Sequence, residues 1–180
     1  MMSNYADKKY EVFNLFEKQW ALVTAGNVDD FNACTVSWGS MGTIWTGRNG
    51  KGSVITVYIH PARHTLKFMQ ENEYFTVSFF DKSHRKALAV MGTKSGRDGN
   101  KVAEAGLTPV PMAEGGMTLA EANFTFLCRK VYQHPFAKEG LAEDVQTYYA
   151  THPREFPQDE DGNWQPHWMF IGEIVATKET

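Results

Sequence analysis

The sequence has few cysteines and no pattern typical of a metal site. Its 180 residues include two cysteines, Cys34 and Cys128, and both lie in apolar, strand-like runs. Neither belongs to a C-x-x-C pair, and the chain has no H-E-x-x-H sequence. We therefore predict two buried free thiols, no disulfide and no metal site, which suits a reducing cytoplasmic compartment.

The sequence also lacks a long hydrophobic run and a large excess of charge. No apolar stretch approaches the roughly 20 residues that a membrane-spanning helix needs. Residues 1–11 are polar and charged, unlike a secretory signal peptide. The formal net charge is −3, so nothing in the total charge favours nucleic acid or an anionic membrane. We predict a cytoplasmic protein that binds neither.

Two common nucleotide-binding motifs are absent. The P-loop order G-x-x-x-x-G-K-[ST] does not occur, and no G-x-G-x-x-G follows a predicted strand. Strands and helices also do not alternate regularly along the chain. A doubly wound dinucleotide-binding sheet is therefore disfavoured.

What the sequence does contain is a series of β-branched and aromatic segments separated by turn residues. The clearest is S-V-I-T-V-Y-I, which is β-branched or aromatic at almost every position. Many strands with turn signals within one domain favour a barrel or a sandwich, and we predict a mainly antiparallel barrel. The six predicted strands are Trp20–Thr24, Phe31–Trp38, Ser53–Ile59, Tyr74–Phe80, Phe124–Tyr132 and Trp168–Ala176.

Short helices are predicted on the outside of this barrel. Aromatic residues at spacings of three and four between Tyr10 and Trp20 indicate an amphipathic helix, so residues 1–18 are predicted to form a peripheral N-terminal helix. Pro61 suits the first turn of another helix. The whole chain, 1–180, is predicted to be one domain. The remaining predicted helices are Lys82–Met91, Asp98–Ala105 and Glu139–Ala150.

The stretch M-G-T-K-S-G-R-D-G-N-K from Met91 to Lys101 is the strongest candidate for an anion site. Its glycines allow several backbone N–H groups to point into one concavity. Lysine and arginine side chains add positive charge, and a following helix capped by Asp98 would add the partial charge of its N-terminus. A phosphate ester would suit this loop. The alternative is a solvated loop with a capped helix behind it.

Two further stretches combine polar side chains with strand ends. On the predicted strand that begins at Phe31, Thr35 and Ser37 share a face, which suits a flat heterocycle or, alternatively, a half-exposed strand in water. In the turn after the next strand, Arg63 and Thr65 lie at a helix start. They suit a phosphate or, alternatively, a capped helix with a surface arginine.

Taken in order, these motifs resemble those of the flavin reductase-like family, the FMN-binding split barrels that include flavoredoxin. The matching features are N-x-x-T-x-S-W-G from Asn32, P-x-R-x-T from Pro61, S-F-F from Ser78 and G-T-K-S-G-R-D from Gly92. The closing H-W-M-F-I-G-E-I-V from His167 also resembles the family's last strand. The resemblance covers nearly the whole chain.

The resemblance implies a mainly β fold, a six-stranded antiparallel Greek-key split β-barrel with flanking short α-helices. It also implies a homodimer with FMN near the subunit interface. His167 would reach the open side of the flavin ring, as a candidate contact for nicotinamide or substrate. The residues that the resemblance assigns to cofactor binding are Asn32, Thr35, Val36, Ser37, Trp38, Arg63, Thr65, Ser78, Phe79, Lys94, Ser95, Gly96, Arg97, Asp98 and Lys101.

The activity implied is that of an NAD(P)H-dependent flavin oxidoreductase. Hydride or electrons would pass from NADH or NADPH through FMN to free flavin or another acceptor. One alternative is a flavoredoxin-like electron carrier without NAD(P)H activity, and another is a flavin-binding or structural domain without turnover. Two segments depart from the family pattern and could reshape the pocket mouth: an extended hairpin tip at Arg48–Gly52 and a long connection at 137–166.

Overall fold

The protein is described here by a computed structural model that covers residues 5–47 and 52–180. Its main feature is a seven-stranded antiparallel sheet, accompanied by a two-stranded ribbon. The predicted hairpin tip at Arg48–Gly52 lies, except for Gly52, outside the described residues. The strands are β1 (Ala21–Gly26), β2 (Phe31–Val36), β3 (Gly39–Thr43), β4 (Ser53–Ile59), β5 (Tyr74–Phe79), β6 (Pro109–Pro111), β7 (Met117–Leu119), β8 (Phe124–Pro135) and β9 (Trp168–Glu179).

The main sheet is curled, and its connections show why. The strand order is β2-β1-β5-β8-β9-β4-β3, so β2 and β3 lie at opposite edges. Only Ser37 and Trp38 join these two strands. Such a link spans at most ~11 Å, whereas the edges of a flat sheet of this width would be ~29 Å apart. The sheet must therefore curl until its edges approach, which confirms the predicted mainly β split barrel.

The predicted number of strands was wrong, because β3 was not recognised. Its sequence, G-S-M-G-T, has two glycines and little β-branched character. It is a strand because it pairs with β4 along its whole length, from Gly39 opposite Val57 to Thr43 opposite Ser53. The ribbon of β6 and β7 was also missed, since the two prolines of β6 indicated a connector.

Within residues 5–47 and 52–180, four α-helices lie outside the sheet, together with a six-residue π-helical segment at Asn14–Gln19 and several short 3₁₀ turns. The predicted helix boundaries were partly wrong. The helix after Pro61 begins at Thr65, and the predicted cap at Asp98 is replaced by Asn100, whose side chain accepts from the Ala103 N–H. The α-helices are α1 (Thr65–Glu71), α2 (Arg85–Thr93), α3 (Lys101–Glu104) and α4 (Glu143–Thr151).

Strand β1 shows how the core is divided between the two faces of the sheet. All six of its residues are buried. Val23 packs inside the barrel with Phe75 and Phe126, whereas Leu22 packs on the outer face against Leu88 of α2. Burial on both faces holds α2 against the sheet beside β2, and this contact positions the candidate site.

Cys34 and Cys128 are buried free thiols, as predicted. Within residues 5–47 and 52–180, no helix combines the length and apolar character needed to cross a bilayer. In the same part of the chain, no group of three His, Cys, Asp or Glu side chains is placed to hold a metal ion.

Candidate functional site

Two adjoining cavities open where β2 ends, α1 begins and α2 ends. The larger has a volume of about 670 Å³ and the smaller about 260 Å³. Volumes of this size suit a small-molecule ligand. Because five residues line both cavities, the two cavities lie side by side. The shared residues are Cys34, Arg63, Thr93, Arg154 and Glu155.

Five of the eleven residues that line the smaller cavity have basic side chains. A single carboxylate, that of Glu155, lines it, and this carboxylate already accepts from the Tyr148 hydroxyl at 3.2 Å. A concave surface with such an excess of positive groups attracts anions. The basic residues that line it are Arg63, His64, Lys94, Lys101 and Arg154.

Lys101 is the most informative of these basic residues, because its side chain is buried. Only 4% of Lys101 is exposed, and burial lowers the pKa of its ammonium group. The Nζ atom donates to the carbonyls of Met91 at 3.3 Å and Lys94 at 3.2 Å, and no described carboxylate pairs with it. One of its three N–H donors is left over. A bound anion would complete the environment of this buried charge.

Arg63 lies on the wall between the two cavities. It follows β4, and its Nη1 donates to the Gly92 carbonyl in the last turn of α2. Lys101 also bonds a carbonyl of that turn, so both cations satisfy the C-terminal end of α2. This structural role explains part of their position. The rest of the Arg63 donor fork remains available to a ligand.

A buried polar contact joins the three predicted binding segments behind the cavities. The Thr65 hydroxyl is fully buried and donates to Asn32 Oδ1 at 2.8 Å. A Cβ atom on Gly96 would lie 1.9 Å from Asn32 Nδ2, so the loop approaches β2 this closely only with glycine. None of the three residues Asn32, Thr65 and Gly96 lines either cavity. They instead hold β2, the start of α1 and the loop after α2 together behind the cavities.

Aromatic rings form much of the wall of the larger cavity. The Trp38 ring lies 4.7 Å from the His167 ring and 5.9 Å from the Phe156 ring, centroid to centroid. Beside them, Thr35 lines the cavity, but its hydroxyl donates to the Leu88 carbonyl at 2.6 Å and so ties β2 to α2. A flat ligand would meet ring faces on one side and the backbone of β2 on the other.

Two histidines of this cavity are held in the neutral state. His60 Nδ1 accepts from the Ala62 N–H at 3.1 Å, so its Nε2 carries the proton and donates to the Gln165 carbonyl at 3.1 Å. Burial lowers the pKa of His60. Burial, His60 and Arg63 together lower the pKa of His167 to about 3. Neither ring carries a positive charge at neutral pH.

The structure brings most of the predicted site residues to the cavities. Thr35, Val36, Ser37 and Trp38 line the larger one, together with His167. The smaller one takes in three of the predicted binding residues from the loop that was the strongest anion-site candidate. Those residues are Lys94, Ser95 and Lys101, with Arg63 shared by both cavities.

Other predicted residues lie elsewhere. Ser78 is buried in a hydroxyl cluster, 3.0 Å from Thr118 and from Thr125, and Phe79 packs in the barrel against Phe16. Both belong to β5, which lies between β1 and β8, away from the cavities.

The outer part of the anion loop also differs from the prediction. Arg97 and Asp98 are exposed and line neither cavity, and Lys94 forms an ion pair with Glu104. The partial positive charge expected from the N-terminus of the following helix is small, because α3 has only four residues.

The long connection was expected to reshape the pocket mouth, but none of its residues was predicted as part of the site. Tyr148 of α4 lines the larger cavity, as does Phe156, and Arg154 and Glu155 line both. The available signal was a set of aromatic residues in an otherwise polar segment. The polar, turn-rich composition of the segment did not distinguish these side chains from those of an ordinary surface loop.

Comparison with known proteins agrees with this geometry. The family model of the Flavin reductase like domain matches residues 13–180. No curated protein matches the chain.

Solved structures of similar fold are recorded for several proteins. Flavoredoxin from Methanosarcina acetivorans has 17% sequence identity and a TM-score of 0.65, over 96% of this chain and 76% of its own. An FMN-binding protein from Thermus thermophilus, with bound p-hydroxybenzaldehyde, has 18% sequence identity and a TM-score of 0.66, over 100% of this chain and 82% of its own. Flavoredoxin of Desulfovibrio vulgaris has 20% sequence identity and a TM-score of 0.61, over 89% of this chain and 69% of its own. With its family model matched over nearly all of its length, the chain belongs to the Flavin reductase like domain family.

Proposed function

We propose that this protein is an FMN-binding oxidoreductase that passes hydride or electrons from NAD(P)H, through FMN, to free flavin or another acceptor. The observation that carries the proposal is the pair of adjoining cavities, the smaller lined by basic side chains and the larger lined in part by aromatic rings. A phosphate ester that also bears a flat ring system matches both parts at once. Family membership and the FMN-binding neighbours support the same ligand.

The residues present fit this cofactor chemically. Arg63 and Lys101 offer charged donors for a phosphate, and Ser95 adds a hydroxyl group. The larger cavity offers Trp38 and Phe156 rings, which would exclude water from the flavin. When bound, FMN supplies the hydride and electron transfer, so the protein needs no nucleophile of its own.

His167 serves this reaction as a neutral contact with a second ligand. Its low pKa means that it holds no transferable extra proton at neutral pH. It therefore binds and orients, and does not act as a general acid.

The visible absorption spectrum of the purified protein is the first test. We expect a yellow protein, or one that becomes yellow on adding FMN, that bleaches anaerobically with NADH or NADPH. The nucleotide that bleaches it faster identifies the preferred donor. A colourless protein that fails to bind added FMN would refute the proposal.

A flavoredoxin-like electron carrier is the second candidate, and two structural neighbours that are flavoredoxins favour it. Such a carrier would bind FMN in the same cavities but would receive electrons from a partner protein. The two candidates differ in turnover: the enzyme oxidises NAD(P)H steadily when an acceptor is supplied, and the carrier does not.

We also propose that the protein forms a homodimer in the cytoplasm, as the family resemblance implies. Ile44 and Trp45, which follow β3 at the edge of the sheet, are 42% and 58% exposed. Large apolar side chains exposed together are typical of an interaction surface. Light scattering after size-exclusion chromatography tests the dimer, and a monomer at micromolar concentration would contradict it.

A further inference from the structure

Tyr149 of α4 makes two hydrogen bonds with His167 through a single atom. Its Oη lies 2.7 Å from His167 Nδ1 and 3.4 Å from the backbone N of the same residue. Tyr149 is a buried residue of the long connection and lines neither cavity. The hydroxyl therefore contacts the candidate site only through His167.

These two contacts determine where the proton of His167 is located. A backbone N–H can only donate, so Tyr149 Oη accepts from it. Burial raises the pKa of the Tyr149 hydroxyl, which therefore keeps its proton. Among the described residues Nδ1 is the one acceptor within reach of that proton, so a buried hydroxyl that is fully hydrogen-bonded donates to Nδ1. With Nδ1 accepting, the ring of neutral His167 carries its own proton on Nε2.

The Nε2 atom of His167 is the part of the ring that is free for a ligand. The ring lines the larger cavity, and Nε2 has no hydrogen-bond partner among the described residues. Since Nε2 has no partner and yet is not a fully buried atom, it is accessible from the cavity. The orientation of the His167 ring is restricted by the rings of Trp38 and His60, whose centroids lie 4.7 Å and 5.1 Å from its own.

The surroundings of Tyr149 restrict it in turn. The Trp164 ring stacks on the Tyr149 ring at 5.4 Å with an angle of 14°, and Phe156 packs at 4.9 Å. A tyrosine held between rings on this connection keeps its hydroxyl in one place. The connection thus supplies a support for His167 that the strands of the barrel do not.

We propose that Tyr149 is a positioning residue that fixes His167 as a neutral Nε2–H donor, and that the ligand bound beside the flavin presents an uncharged carbonyl or carboxamide oxygen to that donor. The choice of ligand class rests on the proposed function, but the Tyr149–His167 arrangement does not. An uncharged donor favours an oxygen with a partial negative charge, whereas an imidazolium would favour a carboxylate. The carboxamide of a nicotinamide ring belongs to this class.

The tautomer is tested directly by long-range ¹H–¹⁵N NMR of the full-length protein at neutral pH, with the His167 signal assigned from its loss in His167→Gln. In the wild-type protein we expect Nδ1 unprotonated and Nε2 protonated. Tyr149→Phe should move both nitrogen shifts towards the average of two exchanging tautomers. The control is Tyr148→Phe, which removes the neighbouring hydroxyl that bonds Glu155 and should leave the His167 signals unchanged. A wild-type pattern in Tyr149→Phe would overturn the positioning role.

The ligand class is tested with two matched probes, nicotinamide and nicotinate, titrated into the FMN-loaded protein and followed by the flavin absorption spectrum. We expect nicotinamide to bind more tightly than nicotinate. Tyr149→Phe should weaken nicotinamide binding by about 3–10-fold, the scale of one hydrogen bond, and should leave nicotinate binding unchanged. Tighter binding of nicotinate, or no binding of either probe, would overturn the ligand class. Failure to load FMN would instead refute the proposed function, and the NMR result would still stand.

Discussion

At the scale of single residues, the basic side chains of the site do two things at once. Arg63 and Lys101 satisfy carbonyls at the end of α2 and also present donors to the smaller cavity. Arg97 was grouped with them on sequence alone, yet it is exposed and lines neither cavity. The residue types in a loop indicate its positive charge, but they do not tell which of its cations line the cavity.

This difference predicts unequal effects of two arginine substitutions. Arg63→Ala should weaken FMN binding by ~1–3 kcal/mol, the scale of a charged hydrogen bond, while Arg97→Ala should cost less than ~1 kcal/mol because its charge is solvated. Fluorescence titration of each variant with FMN and with riboflavin, which lacks the phosphate, measures the effect. Arg63→Ala should leave the riboflavin affinity nearly unchanged. Equal losses for both variants would contradict the assignment of Arg63 to the phosphate.

Gly96 gives a second prediction, which concerns stability. Gly96→Ala would place a Cβ atom 1.9 Å from Asn32 Nδ2 and force the loop or the Asn32–Thr65 hydrogen bond to move. We expect the free energy of unfolding to fall by ~1–3 kcal/mol, as for overpacking. Urea denaturation measures it.

The matched control for Gly96 is Gly42→Ala, because a Cβ atom at Gly42 has no neighbour within 4 Å. This change should be neutral or slightly stabilising, since glycine weakens a strand. Similar losses in both variants would show that the close approach to Asn32 is not the cause.

At the scale of elements, the sequence predicted what local composition determines. Strand β4 matches its predicted limits, Ser53–Ile59, because β-branched residues fill it and turn residues bound it. Strand β3 could not be predicted, since a glycine-rich edge becomes a strand only by pairing with β4. The wall formed by the connection was missed for a similar reason: aromatic side chains at Tyr148 and Phe156 reach the cavity through tertiary packing.

Phe156 is predicted to hold this connection on the barrel. It is buried and its ring contacts Trp38, Tyr149 and His167. Phe156→Ala should cost ~3–5 kcal/mol if the loss is felt globally, and less if the connection opens alone. Hydrogen exchange measured by mass spectrometry should therefore show faster exchange of residues 143–166 before any change in β5 or β8.

Phe13→Ala serves as the control for Phe156→Ala, because Phe13 is 87% exposed and its removal should change exchange nowhere. Uniformly faster exchange over the whole sheet in Phe156→Ala would show that the connection is not a separate unit. In that case its wall would be part of the barrel core.

At the scale of the whole molecule, the neutral histidines make stability depend on pH. Burial lowers the pKa of His60 and of His167, the latter to about 3, whereas an unfolded histidine has a pKa of about 6.5. Below pH ~6.5 the unfolded chain binds protons that the folded chain does not. Each histidine should therefore lower the free energy of unfolding by up to ~1.4 kcal/mol per pH unit as the pH falls from ~6.5 to its folded pKa, which for His167 is about 3.

Urea denaturation at neutral pH and at about pH 4.5 measures this dependence. Carboxylates contribute to acid denaturation as well, so the informative quantity is the difference between the wild-type protein and His167→Gln. The variant should be less stable at neutral pH but should lose less stability on acidification. Parallel losses in the two proteins would mean that His167 takes up its proton equally in both states.

The two-residue link between β2 and β3 has a consequence for how the protein comes to bind its ligand. Ser37 and Trp38 join opposite edges of the sheet and also line the larger cavity. Because the link is so short, the facing ends of β2 and β3 stay close even in the unfolded chain, and the long-range contacts that folding must form are those among the five strands between them. The wall of the larger cavity is therefore complete only when those strands have paired, and a partly folded chain should offer an incomplete site to the proposed ligand. A ligand that binds only the complete barrel should stabilise it, and a variant that cannot complete the barrel should lose both stability and ligand binding.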